Sequence, residues 1–450
     1  MYDIIIHDVG GRDIRFPTSR TMDGSDAVNR NPDHSLAYAV VGTSLQEVTG
    51  YGITFTIGQG NDLVVDAIRE YGRLLSGRRL SDIVENMGKV WHELVNYSPL
   101  RWLGPEKGIT HLAIAAVFNA LWDLYGKVEQ KPVWKLIVDM SPGNLLNVID
   151  FHYVEDVLTR DQAYELLARI QDGKWKREEW IKGNGYPSYT TSAGWIGFSD
   201  DKLRRLLREK IALGWQSFKI KVGQAVNDDI RRLEIIREEL GPDCNLMLDA
   251  NQAWDVPTAI EFMHQAARFT PLWIEEPTSP DDILGHAKIA QAIAPIGVAT
   301  GEHCHNRVMF KQFFEHKAMQ YCQLDACRLG GINESLAVLL LAAKYGVPIC
   351  PHAGALGLRE VQQHLSIVDF IAISASVEGR ILEYADGFRE AFRTPAMVVN
   401  GAYQVPNVHG LGVELTDAAL EAYSFPGGRE WSSEPGSQQI GRIRREDREN

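Results

Sequence analysis

The chain has 450 residues and a formal net charge of −13, and 45% of its residues are hydrophobic. Its length exceeds that of one typical domain, and its composition is that of a globular protein with a sizeable core. The acidic balance would repel phosphate backbones and therefore predicts no nucleic-acid partner.

The amino-terminal residues, MYDIIIHDVGG, contain an early acid, no basic leader and an apolar run too short for a signal peptide. The longest apolar stretch of the second half, 336–343, is far shorter than the roughly 20 residues that a membrane span needs. Five cysteines without CxxC spacing indicate reduced structural thiols rather than a zinc site. We therefore expect a cytoplasmic protein with no membrane partner.

The first part of the chain, up to about residue 65, alternates apolar and polar positions in DIIIHDV, YAVVGTSL and TGYGITFTIG, which predicts an antiparallel sheet. Between its first two strands lies a long polar segment from Phe16 to Asp33, and a loop of that length is usually functional or disordered. From Asp62 to Leu136 the pattern is helical. Together these segments predict an α+β domain over residues 1–140.

The second half alternates short apolar runs with helical segments, which predicts a parallel β/α barrel over residues 141–390. We expect the barrel to begin near Asp150, with the segment from Arg160 to Tyr186 as an insertion. Residues 391–431 are expected to return to the first domain, and the polar stretch 432–450 is expected to be a flexible tail. The predicted barrel strands lie near residues 217–221, 245–249, 272–275, 297–301, 320–324, 347–351 and 380–383.

Three acids follow successive barrel strands: Asp249 closes NLMLD, Glu275 closes PLWIE, and Glu302 follows GVATG. The carboxyl ends of parallel strands meet at one mouth of a barrel, so these carboxylates are expected to converge. Three oxygen ligands without a thiolate or an imidazole favour Mg²⁺ over Zn²⁺. Taken singly, each acid could instead be a solvated or salt-bridged carboxylate.

Two lysines, Lys219 and Lys221, are two positions apart in SFKIK, so both side chains point to one face of the predicted strand. Like-charge repulsion and partial desolvation are expected to lower the pKa of one lysine toward neutrality, as a general base requires. The alternative is that a lysine only pairs with a metal-site carboxylate, and this interpretation applies in part to Lys219.

His352 closes VPICPH and Asp325 closes YCQLD, on adjacent predicted strands. The carboxylate is expected to bond the imidazole, fix its tautomer and raise its pKa. A lysine base, a histidine opposite it and Mg²⁺ between them suit removal of a proton α to a carboxylate. The metal and nearby donors would stabilise the resulting enediolate.

The motifs KIK, DAN, WIEEP, TGEH, LDACRLGG and PHAG resemble the signature of the enolase superfamily, mandelate racemase subgroup. Within that subgroup the resemblance is closest to the L-fuconate dehydratases, through YTTSAGW, DDIRR, EEPTSPDDILGHA, NRVMFKQ and SFPGGREW. It is collinear from the first strand to about Trp431. The resemblance implies an α+β capping domain on a modified (β/α)7β TIM-type barrel, with the loop from Phe16 to Asp33 closing over the substrate.

Carried over to this sequence, the resemblance implies three groups of site residues. The Mg²⁺ ligands would be Asp249, Glu275 and Glu302. The catalytic residues would be Lys221 for the C2 proton, His352 with Asp325 for protonation of the departing 3-hydroxyl, Lys219 to tune Lys221, and Glu383 to bond the enediolate or carboxylate. The substrate-binding residues would be Asn251, His303, Met22, Asp23 and Trp195.

The function implied is Mg²⁺-dependent dehydration of an acid sugar to a 2-keto-3-deoxy product, with L-fuconate as the expected substrate. A racemase, an epimerase or a dehydratase of another sugar acid would use the same machinery, because only cap-loop contacts would differ. A catalytically idle barrel with a binding or regulatory role is the alternative of another class, and the intact lysines, acids and histidine argue against it. We expect a closed symmetric homo-oligomer.

Overall fold

A computed structural model of the chain describes residues 4–432. The strands are β1 (Ile6–Arg15), β2 (His34–Thr43), β3 (Gly50–Ile57), β4 (Tyr186–Thr190), β5 (Ser217–Lys221), β6 (Asn245–Asp249), β7 (Pro271–Glu275), β8 (Gly297–Thr300), β9 (Tyr321–Cys322), β10 (Leu382–Tyr384), β11 (Val398–Val399) and β12 (Ala402–Tyr403). The helices before the barrel are α1 (Asn61–Leu75), α2 (Leu80–Glu85), α3 (Met87–Val95), α4 (Ser98–Leu103), α5 (Gly108–Val128), α6 (Val133–Asp139), α7 (Pro142–Asn147), α8 (Arg160–Arg169) and α9 (Lys174–Asn184). The later helices are α10 (Asp200–Ala212), α11 (Val226–Leu240), α12 (Val256–Ala266), α13 (Ile283–Ile293), α14 (Arg307–Glu315), α15 (Ile332–Tyr345), α16 (Leu358–Val368) and α17 (Asp417–Tyr423).

The amino-terminal part is a three-stranded antiparallel sheet in the order β1-β2-β3, covered by helices, as the alternating pattern predicts. The long helix α5 packs so closely on this sheet that a Cβ at Gly52 would lie 2.0 Å from the carbonyl oxygen of Ala116. Only glycine permits this approach. Because α5 also contacts α15 of the barrel, it is buried on nearly all sides and carries almost no polar face.

The carboxyl-terminal part is a TIM-type barrel, in which β4 to β9 are parallel neighbours and β10 pairs with β4. The predicted strand over 347–351 is wrong as a regular strand, since Ile349 forms a single parallel bridge to Cys322. Pro348 and Pro351 flank this bridge, and proline has no backbone N–H to extend the ladder.

The barrel begins at β4, so the prediction of a start near Asp150 is wrong. The segment taken for an insertion folds as α8 and α9 and leads directly into this first strand. Within it, Ile181 is fully buried, and the side chain of Arg177 donates to the carbonyl of Ile371 at 2.9 Å. The strand β4 has the sequence YPSYT, which contains polar residues and a proline and therefore lacks the apolar run that predicts a barrel strand.

The segment after residue 391 serves both parts of the molecule. Its strand β12 pairs antiparallel with β4, which corrects the expectation that the whole segment returns to the first domain. Further along, Leu415 donates its N–H to the hydroxyl of Tyr38 at 3.2 Å, and Nε1 of Trp431 donates to the carbonyl of Arg15 at 2.9 Å. The predicted tail lies outside the described residues, except for Ser432.

Within residues 4–432, no helix is both long and apolar enough to cross a bilayer. All five cysteines are free thiols, and four of them are buried.

Candidate active site

The pairing register places three predicted site residues side by side at the barrel mouth. Lys221 on β5 pairs with Asp249 on β6, and Asp249 pairs with Glu275 on β7. Each of the three is the last residue of its strand. Glu302 follows β8, which ends at Thr300. Because in-register parallel strands end at the same edge of a sheet, these side chains share one site.

The three acids form a cluster suited to a divalent cation. One carboxylate oxygen from each of Asp249, Glu275 and Glu302 lies within 4.8 Å of the others. All three residues are buried, and Asp249 and Glu275 have no exposed surface. Closely spaced buried carboxylates repel one another unless a cation lies among them. This donor set fits Mg²⁺, which prefers oxygen ligands.

Lys219 lies beneath this cluster and connects it to Glu383 on β10. Its Nζ is 2.5 Å from Oε1 of Glu275 and 2.7 Å from Oε1 of Glu383. The other oxygen of Glu383 accepts the N–H of Ala353 at 2.9 Å. Lys219 thus neutralises two acids and holds them in fixed positions. This pairing agrees with the alternative considered for this residue.

Lys221 is the second buried lysine. Its Nζ lies 2.6 Å from Oδ2 of Asp249, donates to Oδ1 of Asn251 at 2.8 Å, and lies 5.5 Å from the centre of the Trp195 ring. The predicted lowering of a lysine pKa is not found. Burial lowers the pKa of Lys221, but the charges of the nearby acids, Asp249 foremost, together outweigh burial and raise that pKa above the usual value. The sequence shows that Lys219 is close enough to repel Lys221, but it does not show that Asp249 lies only 2.6 Å from the Lys221 amine.

The predicted pair of His352 and Asp325 is present. Nδ1 of His352 lies 3.0 Å from Oδ2 of Asp325, and Nε2 lies 3.5 Å from a carboxylate oxygen of Glu302. Burial disfavours the imidazolium, but Glu302 and the bond to Asp325 raise the pKa of His352 to about 10. Asp325 is itself held by Nε2 of Gln362 at 2.8 Å and the N–H of Cys327 at 2.7 Å.

Above these groups lies a cavity of about 380 Å³ enclosed by the barrel mouth and the amino-terminal sheet. Three of the predicted substrate-binding residues, Asn251, His303 and Trp195, line it. Met22 and Asp23 do not line it within the described chain. Asp23 accepts a hydrogen bond from the hydroxyl of Thr21 outside the cavity, and Met22 lies against Gly197.

The loop between β1 and β2 nevertheless covers the mouth, and its cavity residues are Gly24, Asp26, Val28 and Asn29. Ser25, between them, accepts the N–H of Ile196 on its carbonyl at 3.1 Å and the N–H of Gly197 on its hydroxyl at 3.0 Å. These bonds attach the loop to the barrel and turn the residues on either side of Ser25 toward the cavity.

Sequence reasoning did not identify several cavity residues. His34, the first residue of β2, faces the site from the cap, and burial followed by the charges of His352 and Lys221 lowers its pKa to about 4. Glu276 is the second acid of WIEEP, and its Oε1 lies 2.7 Å from Nδ1 of His303. Arg328 also lines the cavity. The charges of Glu276 and Arg328 within WIEEP and LDACRLGG were a usable signal, whereas nothing marked His34.

Gln323 supports the metal cluster from the barrel interior. Its Nε2 donates to Oε2 of Glu275 at 2.5 Å, while Lys219 holds the opposite oxygen. Both oxygens of Glu275 are therefore engaged by buried donors, which fixes the plane of the carboxylate.

Comparison with known proteins places this site in a family. The family described as "Enolase C-terminal domain-like" matches residues 202–419. Mitochondrial enolase superfamily member 1 of Homo sapiens is 50% identical over 423 residues, which cover 93% of this chain and 96% of that protein. L-galactonate dehydratase of Hypocrea jecorina is 49% identical over 432 residues, with 95% of each chain covered.

Solved structures agree with these relationships. The crystal structure of human mitochondrial enolase superfamily member 1 matches with a TM-score of 0.94 and 49% identity, covering 95% of this chain and 98% of that one. L-talarate/galactarate dehydratase from Salmonella typhimurium, liganded with Mg and L-lyxarohydroxamate, matches with a TM-score of 0.73 and 26% identity, covering 93% and 92%. The fold, the strand-end residues and these relatives agree, and the chain belongs to the enolase superfamily.

Proposed function

We propose that this protein is a Mg²⁺-dependent hydro-lyase that dehydrates an acid sugar, with L-fuconate as substrate. The observation that carries the proposal is the arrangement of the mouth: the carboxylates of Asp249, Glu275 and Glu302 lie between Lys221 on β5 and His352, which follows β9. A base and an acid on different walls of one cavity can act on two adjacent carbons of a bound acid.

Asp249, Glu275 and Glu302 would hold the Mg²⁺, which would supply Lewis-acid stabilisation of the negative charge that develops on the substrate carboxylate. Lys221 would lose its proton more readily once Mg²⁺ held by Asp249 offsets the negative charge that raises the pKa of this lysine, and it would then act as the base that takes the C2 proton. Its bonds to Asp249 and Asn251 fix the position of Nζ, so that the amine is oriented before the substrate enters.

His352 is the acid that protonates the 3-hydroxyl as it leaves. Against the effect of burial, the bond to Asp325 raises the pKa of His352 and favours the imidazolium, as proton donation requires. Asp325 holds Nδ1, so Nε2 is the nitrogen left to face the substrate. Lys219 and Glu383 form the buried support of the site, with Glu383 as the group that bonds the carboxylate end of the reacting acid.

The substrate proposal rests on the resemblance to L-fuconate dehydratases. L-galactonate is a second candidate, because a relative that is 49% identical over 95% of the chain bears the name L-galactonate dehydratase. The two acids share their configuration from C2 to C5 and differ at C6, which carries a hydroxyl in L-galactonate and only hydrogen in L-fuconate. A racemase or epimerase would use the same base but return the proton to C2 without loss of water.

A panel of acid sugars, incubated with the protein and Mg²⁺ and assayed for 2-keto acid, tests the proposal. We expect product from L-fuconate and L-galactonate. Dehydration of a different sugar acid alone would contradict the substrate but not the reaction. Exchange of the C2 proton with deuterium, or inversion at C2, without any keto product would replace the dehydratase by a racemase or epimerase.

Two further properties belong to the proposal. The free cysteines, four of them buried, are consistent with a reducing compartment, and we place the protein in the cytoplasm. We also propose a homo-oligomer with closed symmetry, which light scattering of the purified protein would test.

A further inference from the structure

The loop after β9 carries a second charged residue besides Asp325, and the cap fixes its backbone. The hydroxyl of Thr54 on β3 donates to the carbonyl of Cys327. Asn119 on α5 donates to the carbonyl of Ala326 at 3.2 Å, and Nε1 of Trp91 donates to that of Gly330 at 2.8 Å. The backbone of this loop is therefore held in place where the cap meets the barrel, and its side chains extend from a fixed position.

Arg328 extends from this loop to the rim of the cavity and is only partly buried. The other cationic groups of the cavity have acidic partners: Lys221 has Asp249, His352 has Asp325, and His303 has Glu276. The guanidinium of Arg328 forms no hydrogen bond or ion pair with any residue between 4 and 432. It is the cavity cation that the described chain leaves without an anion.

His303 lies near Arg328 and also has a free donor position. Its Nδ1 is held by the fully buried Glu276 at 2.7 Å, and Gln252 contacts the same nitrogen at 2.7 Å. Its Nε2 has no partner among the described residues. Arg328 and His303 both line the cavity, and Nδ1 of His303 also lies 3.4 Å from a carboxylate oxygen of Glu302.

We propose that Arg328 and His303 form a second anchoring subsite that binds an oxygen on C6 of the acid sugar, while the metal cluster holds the carboxylate. This inference rests on the proposed function and names the part of the substrate that it recognises. An unpaired guanidinium in a concave site gains most from an oxygen ligand, and its fork of donors matches a carboxylate or a hydroxyl. Six-carbon acids with a C6 hydroxyl or C6 carboxylate are the ligands of this subsite.

Apolar residues from the amino-terminal domain line the same cavity and bear on which group at C6 Arg328 recognises. Phe55, Ile57 and Leu112 line the same cavity and offer no polar group to a terminal oxygen. A C6 methyl can pack on these side chains without using Arg328, whereas a C6 oxygen needs a donor to replace its lost water. Arg328 is thus the group that separates L-galactonate from L-fuconate.

The test compares the Mg²⁺-loaded wild type with Arg328→Met and Arg328→Lys, using L-galactonate, galactarate and L-fuconate. Titration calorimetry gives the Kd of each acid, and steady-state assays give KM and kcat. Because a hydrogen bond to a charged group is lost, Arg328→Met is expected to raise Kd and KM for the two C6-oxygen acids by about tenfold or more. L-fuconate should change by less than about threefold, with Arg328→Lys intermediate for L-galactonate.

Arg205→Met is the matched control, because Arg205 is an exposed arginine of α10 that pairs with Glu209 and with no other described residue. Equal weakening of L-galactonate and L-fuconate by Arg328→Met, or no weakening of either, overturns the subsite. If Arg328→Met does not fold, Arg328→Gln replaces it in the same comparison. If the wild type binds these acids but dehydrates none, the proposed reaction fails while the Kd comparison still decides the subsite.

Discussion

Two buried charge clusters of this protein are built from the same residue types but serve different ends. The mouth cluster consists of Lys219, Lys221, Asp249, Glu275 and Glu302, and it opens on a cavity. The junction cluster consists of Arg307, Glu106, Asp150 and Glu334, and it lies between cap and barrel.

In the junction cluster every nitrogen of the guanidinium has a partner. Nη1 of Arg307 lies 3.0 Å from Glu334 and 3.2 Å from Glu106, Nη2 lies 3.2 Å from Asp150, and Nε donates to the carbonyl of His152 at 2.7 Å. One guanidinium thus joins α14 to the loop before α5, to the segment after α7 and to α15. The mouth cluster has carboxylates beyond what its lysines satisfy. Buried acids around one saturated cation form a clamp, whereas buried acids that face a cavity form a metal site.

The largest expected effect is a loss of catalysis when a lysine of the mouth cluster is replaced. Lys221→Ala should abolish exchange of the C2 proton of the substrate with solvent deuterium, a loss of about 10⁴-fold, because the positioned base is removed. Proton NMR in D₂O measures the exchange. The exposed Lys288→Ala is the control. Exchange that persists in Lys221→Ala would transfer the role of base to His352.

The next effect concerns stability. Arg307→Met leaves the buried carboxylate of Glu334 without its cation, whereas Glu106 keeps Arg101 and Asp150 keeps His92. The loss should lower the free energy of unfolding by about 3–5 kcal/mol. Urea titration monitored by circular dichroism measures the change, with Arg205→Met as the surface control. The Mg²⁺ affinity of the folded variant should equal that of the wild type. A stable Arg307→Met protein with weakened Mg²⁺ binding would remove the distinction between the clusters.

The pH dependence of stability tests the junction cluster more finely. Burial raises the pKa of Glu334 from 4.5 to about 7, against the opposing charge of Arg307. The unfolded chain therefore releases this proton first, so the stabilising contribution of Glu334 is complete below about pH 4.5 and is lost as pH rises toward 7.

Glu334→Gln should remove this part of the pH dependence, which changes the free energy of unfolding by at most about 3 kcal/mol. The measurement is the free energy of unfolding of both proteins between pH 5 and 8. Identical pH profiles of variant and wild type would show that Glu334 titrates normally in the folded protein.

The smallest stated effect tests the mouth cluster as a metal site. Glu275→Gln keeps the shape of the side chain but removes a charge, so Mg²⁺ should bind at least about tenfold more weakly. Calorimetric titration with Mg²⁺ measures this, and the exposed Glu378→Gln is the control. Unchanged binding would count against the three acids as the ligand set and would leave the mouth cluster no different from the junction cluster.

Most of the barrel could be predicted because its strands are short apolar runs with charged ends. Asp249 and Glu275 needed no tertiary information, since register alone brings the ends of parallel strands together. The first strand was missed because YPSYT is polar and contains a proline. The strand predicted over 347–351 is longer than the observed pairing, because the apolar pattern gave no weight to Pro348 and Pro351, which limit the pairing to one bridge.

The cap residues of the site could not be predicted in the same way. A loop has no repeating period, so the sequence cannot tell which of its side chains turns inward. The structure turns Gly24 and Asp26 toward the cavity, where Met22 and Asp23 were expected. His34 begins a strand whose pattern shows only that it is buried.

The sequence alone determined the barrel, its metal-binding acids as a hypothesis, and the identity of the lysines and the histidine around them. Only the tertiary structure decided which charges pair: it raised the pKa of Lys221 through Asp249 and other acids, placed Arg307 among three acids, and left Arg328 at the cavity rim without a partner in residues 4–432. The reason is that electrostatic energy depends on the distance and burial of charges in space, and neither follows from their separation along the chain.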